Sequence, residues 1–254
     1  MMGKIRLLAA LLMAAVPLAA AVLDVQNFER DGKPVLIPKV HDYRTLNGFC
    51  RLPRDFTVLV PEGEELIVEQ LKNELRRFDI AVLPKRKGAF CRFAVTDKGV
   101  PLKGDGFVLT VGIQGITVAS RTAAGLFYGA QTLRNLIRNA GRPELKCCRI
   151  TDWPDLNIRG YSLNLRGIPV SKMPYIKQTL DALAAMRINR VMVGLGEAFP
   201  YKVNPFTKRK FTYSVETLRE IVEFARARHI EVVPTLQVWS HAEWMTYHPD
   251  WEKM

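Results

Sequence analysis

A chain of 254 residues, 48% apolar and 24% charged, can bury the core of one large domain or two modest ones, which excludes a disordered chain. Its formal net charge of +12 favours acidic partners. The basic residues, among them Arg51, Arg76, Lys85, Arg86, Lys87, Lys208, Arg209 and Lys210, are nevertheless spread without aromatic interleaving, which argues for a solvated surface and against a nucleic-acid-binding protein.

The first 21 residues place Lys4 and Arg6 before an apolar run, Leu7 to Leu18, that closes in Ala19, Ala20 and Ala21. The run is shorter than the roughly 20 apolar residues of a membrane-spanning helix and reads as a cleaved secretory signal. The mature chain is expected to begin near Val22, to carry a charge of about +10, and to be secreted or periplasmic with no membrane attachment after cleavage. Four cysteines, Cys50, Cys91, Cys147 and Cys148, lack the paired spacing of a zinc site, and no metal is expected. Their pairing is open, and free buried thiols are an equal alternative. On a strand, the adjacent Cys147 and Cys148 are expected to point to opposite faces.

From Val35 the pattern is mixed α and β. Phe56 to Val60 is a β-rich run, and Ile67, Leu71, Leu75 and Phe78 recur at helical spacing through Glu64 to Phe78. Ala81 to Leu83 and Arg92 to Val95 are short strands, separated by Lys85 to Lys87 as a solvated loop. Gly106 to Val111 and Gly115 to Ser120 alternate and form a hairpin across Gly112, Ile113 and Gln114. A helix from Thr122 to Ile137 then shows Leu126, Phe127, Ala130, Leu133 and Ile137 on one face. Cys148 to Thr151 is a last strand, broken by Asp152, Trp153, Pro154 and Asp155. Residues 22–151 are thus expected to form a small α+β domain.

The rhythm then becomes strand, helix, strand, helix, strand: Tyr161 to Leu165, Met173 to Met186, Arg190 to Leu195, Val215 to Arg228 and Glu231 to Leu236. Ile176, Leu180, Leu183 and Ala184 form one helix stripe; Leu218, Ile221, Val222 and Ala225 form the next, with Ser214 as its cap. Such alternation implies a parallel α/β sheet. The turn after the first strand, Arg166-Gly167-Ile168-Pro169, lacks the repeated glycines of a dinucleotide site, which favours a (β/α)8 TIM barrel over a doubly wound sheet. A barrel takes roughly 250 residues and about 100 follow Pro154. Residues 152–254 are therefore expected to supply the first three βα units of an incomplete barrel. Its third strand is left as an open edge through which self-association is expected. All three strands run from apolar to polar, ending at Arg166, Glu197 and, through Gln237, Trp239 and Ser240, at His241. That order suits buried strands delivering their last residues to a ligand crevice.

AAGLFYGAQTLRNLI (Ala123 to Ile137), ITDWPDLNIRGYSLNLRG (Ile150 to Gly167), GEAFPY around Glu197 and HIEVVPTLQVWSHAEWMTYHP (His229 to Pro249) together resemble glycoside hydrolase family 20, the β-N-acetylhexosaminidases, and most of all the hexosaminidase D type. The resemblance implies retaining hydrolysis of an N-acetylhexosamine-containing glycan, in which the substrate's own 2-acetamido oxygen attacks the anomeric carbon. It implies an aspartate that orients the acetamido group and a neighbouring glutamate that protonates the leaving oxygen, with no metal or cofactor. That Asp–Glu pair stands at the end of strand four, expected beyond Met254, so no catalytic residue is assigned and the chain alone is expected to be inactive. The resemblance puts Arg166, Glu197, His241 and Trp239 at the sugar site. Glu197 alternatively is a surface glutamate, and Trp239 either stacks on a sugar or fills the barrel mouth. Asn164 replaces the strand's usual aspartate, and Gly167 stands where larger hexosaminidases carry a sugar-binding arginine. A second reading is a non-catalytic glycan-binding or interaction protein of the same ancestry, whose basic charge suits an acidic glycan.

Overall fold

A computed structural model describes residues 29–30, 33–85, 87–101, 103–202 and 212–236. The signal read at residues 1–21, Trp239 and His241 lie outside them. A two-residue ladder, β1 (Glu29–Arg30) with β2 (Lys33–Pro34), precedes the main elements. These are β3 (Asp42–Arg51), β4 (Asp55–Leu59), α1 (Glu65–Leu75), β5 (Ala81–Pro84), β6 (Cys91–Val95), β7 (Phe107–Gly112), β8 (Gly115–Ser120), α2 (Ala123–Asn139) and β9 (Glu144–Asp152). A second set follows: β10 (Gly160–Asn164), α3 (Met173–Ala185), β11 (Arg190–Gly194), α4 (Val215–Arg226) and β12 (Glu231–Thr235). No helix among the described residues is long and apolar enough to cross a membrane.

Strands β3 to β9 form one seven-stranded sheet in the order β3-β9-β7-β8-β6-β4-β5, with α1 and α2 on one face. The expected hairpin is there, β7 and β8 pairing antiparallel across Ile113 and Gln114. Ile67, Leu71 and Leu75 bury one stripe of α1, and Leu126, Phe127, Ala130, Leu133 and Ile137 bury the stripe of α2 against the sheet. Thr122 starts α2 by accepting a hydrogen bond from the Gly125 N–H at 3.0 Å. Two glycines let α2 lie flush on the sheet. A Cβ on Gly125 would fall 2.1 Å from Ser120 Oγ, and one on Gly129 2.4 Å from Val118 Cγ1. Gln131 donates to Gln70 at 2.7 Å, a buried amide pair that ties the two helices.

Strand β9 is longer than the sequence pattern implies, and β3 is absent from that pattern. The two pair antiparallel with a register shift between Thr45 and Phe49. Cys147 and Cys148 are both buried next to this irregularity. All four cysteines are free and buried. Burial pushes the Cys50 thiol up to about 12 and the Cys148 thiol up to about 11, which leaves both as packing groups at neutral pH.

The remaining strands form a separate three-stranded parallel sheet, β10-β11-β12. Ile176, Leu180, Leu183 and Ala184 of α3 are buried, as are Ile221 and Ala225 of α4, with Leu218 and Val222 half-buried. Ser214 caps α4 by accepting from the Thr217 N–H at 3.1 Å.

The turns that enter these three strands each place a cationic or imidazole side chain on the α1–α2 layer. Before β10, Arg159 donates to the Tyr128 hydroxyl at 2.9 Å and lies over that ring. Before β11, Arg187 pairs with the buried Asp152 and donates to Thr132 Oγ1 at 2.8 Å. Before β12, His229 Nε2 stands 3.2 Å from Glu64 Oε2, and its ring packs on Phe127. Arg187 and His229 both have positive φ, +60° and +56°, at the tips of their turns.

Asp152 is the hub of this joint. Its Oδ1 lies 2.6 Å from His41 Nδ1, while His41 Nε2 reaches Asp155 at 3.1 Å and the imidazole stacks on Trp153 with centroids 4.1 Å apart. Removing Arg187 takes the guanidinium from a carboxylate only 1% exposed and leaves it to His41, so Arg187→Ala is expected to lower unfolding free energy by about 3 kcal/mol in urea titrations. The hydrogen bond to Asp152 raises the His41 pKa above its ordinary 6.5 against a smaller opposing effect of burial. A raised folded-state pKa stabilises the fold fully below 6.5, and that contribution is lost as pH rises through the folded value. The stability gap between the native chain and His41→Asn is therefore expected to be widest in mildly acidic buffer and to narrow towards alkaline pH.

Candidate functional site

The exits of the three parallel strands lie at the end of their sheet away from the joint. Asn164, Gly194 and Thr235 stand in register there. Pairing extends one residue beyond β10, the Leu165 N–H donating to the Gly194 carbonyl at 2.9 Å. Asn164 then turns the chain, its Oδ1 accepting from the Arg166 N–H at 2.9 Å, while the Leu165 carbonyl accepts from Ile168 at 3.1 Å. Gly167 in this turn has φ +75°, a conformation that strains any side-chain-bearing residue.

Arg166 is exposed, and its stem packs beside Gly196. A Cβ built on Gly196 would lie 3.5 Å from Arg166 Cδ. Glu197 occupies the middle of the helical turn Gly196–Ala198 that follows β11. The structure thus brings positions 166 and 197 together at adjacent strand exits. Trp239 and His241 follow Thr235 by four and six positions, outside the described residues. Phe199 and Tyr201, just beyond Glu197, pack ring to ring at 4.9 Å.

One residue that the sequence pattern does not single out ties the two exits. Tyr213 is 1% exposed; its N–H donates to the Ala198 carbonyl at 2.8 Å and its hydroxyl to the Ile168 carbonyl at 2.6 Å. Burial raises its pKa, so the hydroxyl keeps its proton as a donor. The signal lay in its place just before the Ser214 cap, where an aromatic residue closes the entry to a helix. Its partner 45 residues away is not readable from local pattern.

No group of three His, Cys, Asp or Glu side chains among the described residues is placed to hold a metal ion. Two clefts of about 650 and 400 Å³ lie instead on the amino-terminal domain, around Lys39, His41 and Tyr43 and around Phe49, Arg142 and Lys146. Neither includes a residue of β10, β11 or β12.

Residues 33–153 match the model of glycosyl hydrolase family 20, domain 2. This is the segment that holds the seven-stranded sheet and its two helices. The β-hexosaminidase of Porphyromonas gingivalis is 27% identical over 171 residues, covering 58% of this chain and 22% of that protein. Residues 33–153 belong to glycoside hydrolase family 20. Hexosaminidase D of Homo sapiens is 28% identical over 88 residues, or 34% of this chain and 18% of that protein. The same fold occurs in the Streptomyces plicatus N-acetyl-β-hexosaminidase solved in complex with Thio-NAglucal, with a TM-score of 0.69 at 21% identity over 84% of this chain and 48% of that one. The chain spans about a fifth of the length of these two curated relatives and about half of the solved structure.

The clamp made by Tyr213 yields a direct test. Tyr213→Phe keeps the ring but leaves the Ile168 carbonyl without its donor, and is expected to cost about 1–2 kcal/mol in chemical denaturation.

Proposed function

We propose that this chain is the amino-terminal portion of a secreted β-N-acetylhexosaminidase, and that its three strand exits form part of the pocket for a terminal N-acetylhexosamine. In this reading residues 1–21 are a signal peptide and residues 22–151 the small domain. Residues 152–254 are the first three βα units of a (β/α)8 barrel. The observation that carries it is the register of β10, β11 and β12, which aligns their exits beside one another on a chain whose residues 33–153 belong to family 20. In a barrel of this type the carboxyl ends of the strands build the active site and the opposite ends serve stability. The division between the joint and the strand exits in this chain supports that assignment.

Each site residue then has a chemical part. Arg166 offers a rigid fork of N–H donors to sugar hydroxyls. Glu197 accepts from hydroxyls, Trp239 supplies an aromatic face, and His241 supports the acid at the reacting bond. Hydrolysis is substrate-assisted and retaining, with no cofactor: the acetamido oxygen displaces the leaving group under protonation by a glutamate, and water then opens the cyclic intermediate. That mechanism needs an adjacent Asp–Glu pair, and none occurs in these 254 residues. The chain by itself is therefore proposed to bind without turning over.

An aryl N-acetyl-β-hexosaminide tests this. The purified chain is expected to release no phenol above the buffer blank, and calorimetry is expected to detect weak binding of N-acetylglucosamine that Arg166→Ala reduces. Hydrolysis that disappears in Glu197→Gln would overturn the assignment of the acid to a missing pair. The edge of β12 is unpaired among the described residues. Sedimentation is accordingly expected to show self-association at micromolar concentration, and a strictly monomeric chain would count against an open barrel edge.

A further inference from the structure

Among the described residues, the seven-stranded sheet carries helices on one face only. Leu109 and Val111 of β7, Ile116 and Val118 of β8, and Cys91 and Phe93 of β6 are buried in the core beneath α1 and α2. The residues that alternate with them point away from the helices, and the strand register sets them in line. Arg44 of β3 is paired with Arg149 of β9, Arg149 with Thr110 of β7, Thr110 with Thr117 of β8, and Thr117 with Arg92 of β6. One row across five strands therefore reads Arg, Arg, Thr, Thr, Arg. The three arginines and Thr117 are exposed and Thr110 is half-buried.

This row is unfavourable as a purely structural surface. Like charges directly opposite on paired strands destabilise a sheet, and Arg44 and Arg149 stand so. Asp42 relieves Arg44, accepting from its Nε at 2.8 Å. No carboxylate among the described residues pairs with Arg149 or Arg92. In the adjoining row, Asp42, Thr151, Val108, Ala119 and Ala94, Asp42 is the one acidic residue. At roughly 4.8 Å per strand, Arg92 lies about 14 Å from Arg149 and Arg44 about 5 Å beyond it.

We propose that this open sheet face binds a polyanionic glycan, a hydroxyl-rich chain carrying sulfate or carboxylate groups. The guanidinium groups take its anionic groups in bidentate fashion, and the threonine hydroxyls between them meet sugar hydroxyls. No aromatic ring lies in the row to stack a base, which disfavours single-stranded nucleic acid. No large apolar side chain stands exposed in it to enter a membrane interface. The site belongs to the small domain and does not depend on the pocket assigned to the strand exits.

Heparin serves as the sulfated probe, with unsulfated dextran and a single-stranded oligonucleotide beside it, in surface plasmon resonance at low and high salt. The chain is expected to bind heparin but not dextran, and to lose heparin as salt rises. The triple variant Arg44→Ser, Arg92→Ser, Arg149→Ser is expected to bind about tenfold more weakly or worse. A charge-matched variant, Arg76→Ser, Lys172→Ser, Arg219→Ser, is expected to bind as the native chain does. The single variant Arg92→Ser, which removes one exposed cation and no ion pair, is expected to show a several-fold loss without a change in melting temperature. Equal losses in the two triple variants, no heparin binding by the native chain, or oligonucleotide binding as tight as heparin binding would each overturn the proposal.

Discussion

The contact between Arg187 and the carboxylate of Asp152 is the constraint on which the arrangement of this protein turns. Asp152 closes the last strand of the seven-stranded sheet, and Arg187 sits at the tip of the turn that leads into β11. A carboxylate so far from water is tolerable only with a cation and further donors around it. His41 supplies two, its backbone N–H and its ring. Three segments distant in sequence are therefore held by one side chain. Arg159 and His229 repeat the pattern on either side, so every parallel strand enters its sheet from a point of attachment on the helical layer.

That layer has to be close and rigid to serve as a floor. Gly125 and Gly129, one turn apart on α2, remove the side chains that would hold the helix off β7 and β8. The buried Gln70–Gln131 bond then fixes α1 against α2. An alanine at position 129 would drive a methyl group into Val118, and the displaced helix would carry Tyr128 and Thr132 away from their arginine partners. Packing at the centre of the small domain thus sets the position of groups on the neighbouring sheet.

Much of this was legible in the sequence, for reasons that differ by element. The helices α1, α3 and α4 declare themselves because each has a single buried stripe, α2 because its large apolar residues recur at helical spacing, and β7 and β8 because they alternate around a two-residue turn. Strand β3 does not, since Arg44 to Asn47 are all exposed and its ladder exists only because β9 pairs with it. Glu144 to Lys146 escaped notice for the same reason: Phe49 to Arg51 define them as strand. At the candidate site, the runs ending at Arg166 and Glu197 were readable as strand exits, because apolar residues give way to polar ones there. Tyr213 was not, because what makes it structural is a carbonyl contributed by Ile168. Arg187 and His229 were equally silent, being non-glycine residues in left-handed turns whose worth lies in distant partners.

Anchorage at the entrance of each strand has a consequence for how such a chain can change over evolutionary time. At the exits, exposed positions outside the Gly167 turn and the Tyr213 clamp carry little of the load and can be exchanged at small risk to folding. Exposed side chains can drift at one end while the other stays frozen. A mutational scan should accordingly be permissive at exposed exit positions such as Arg166 and Phe199, and intolerant at the buried Leu165, Ala198 and Tyr213 and at Arg159, Arg187 and His229 before the strands.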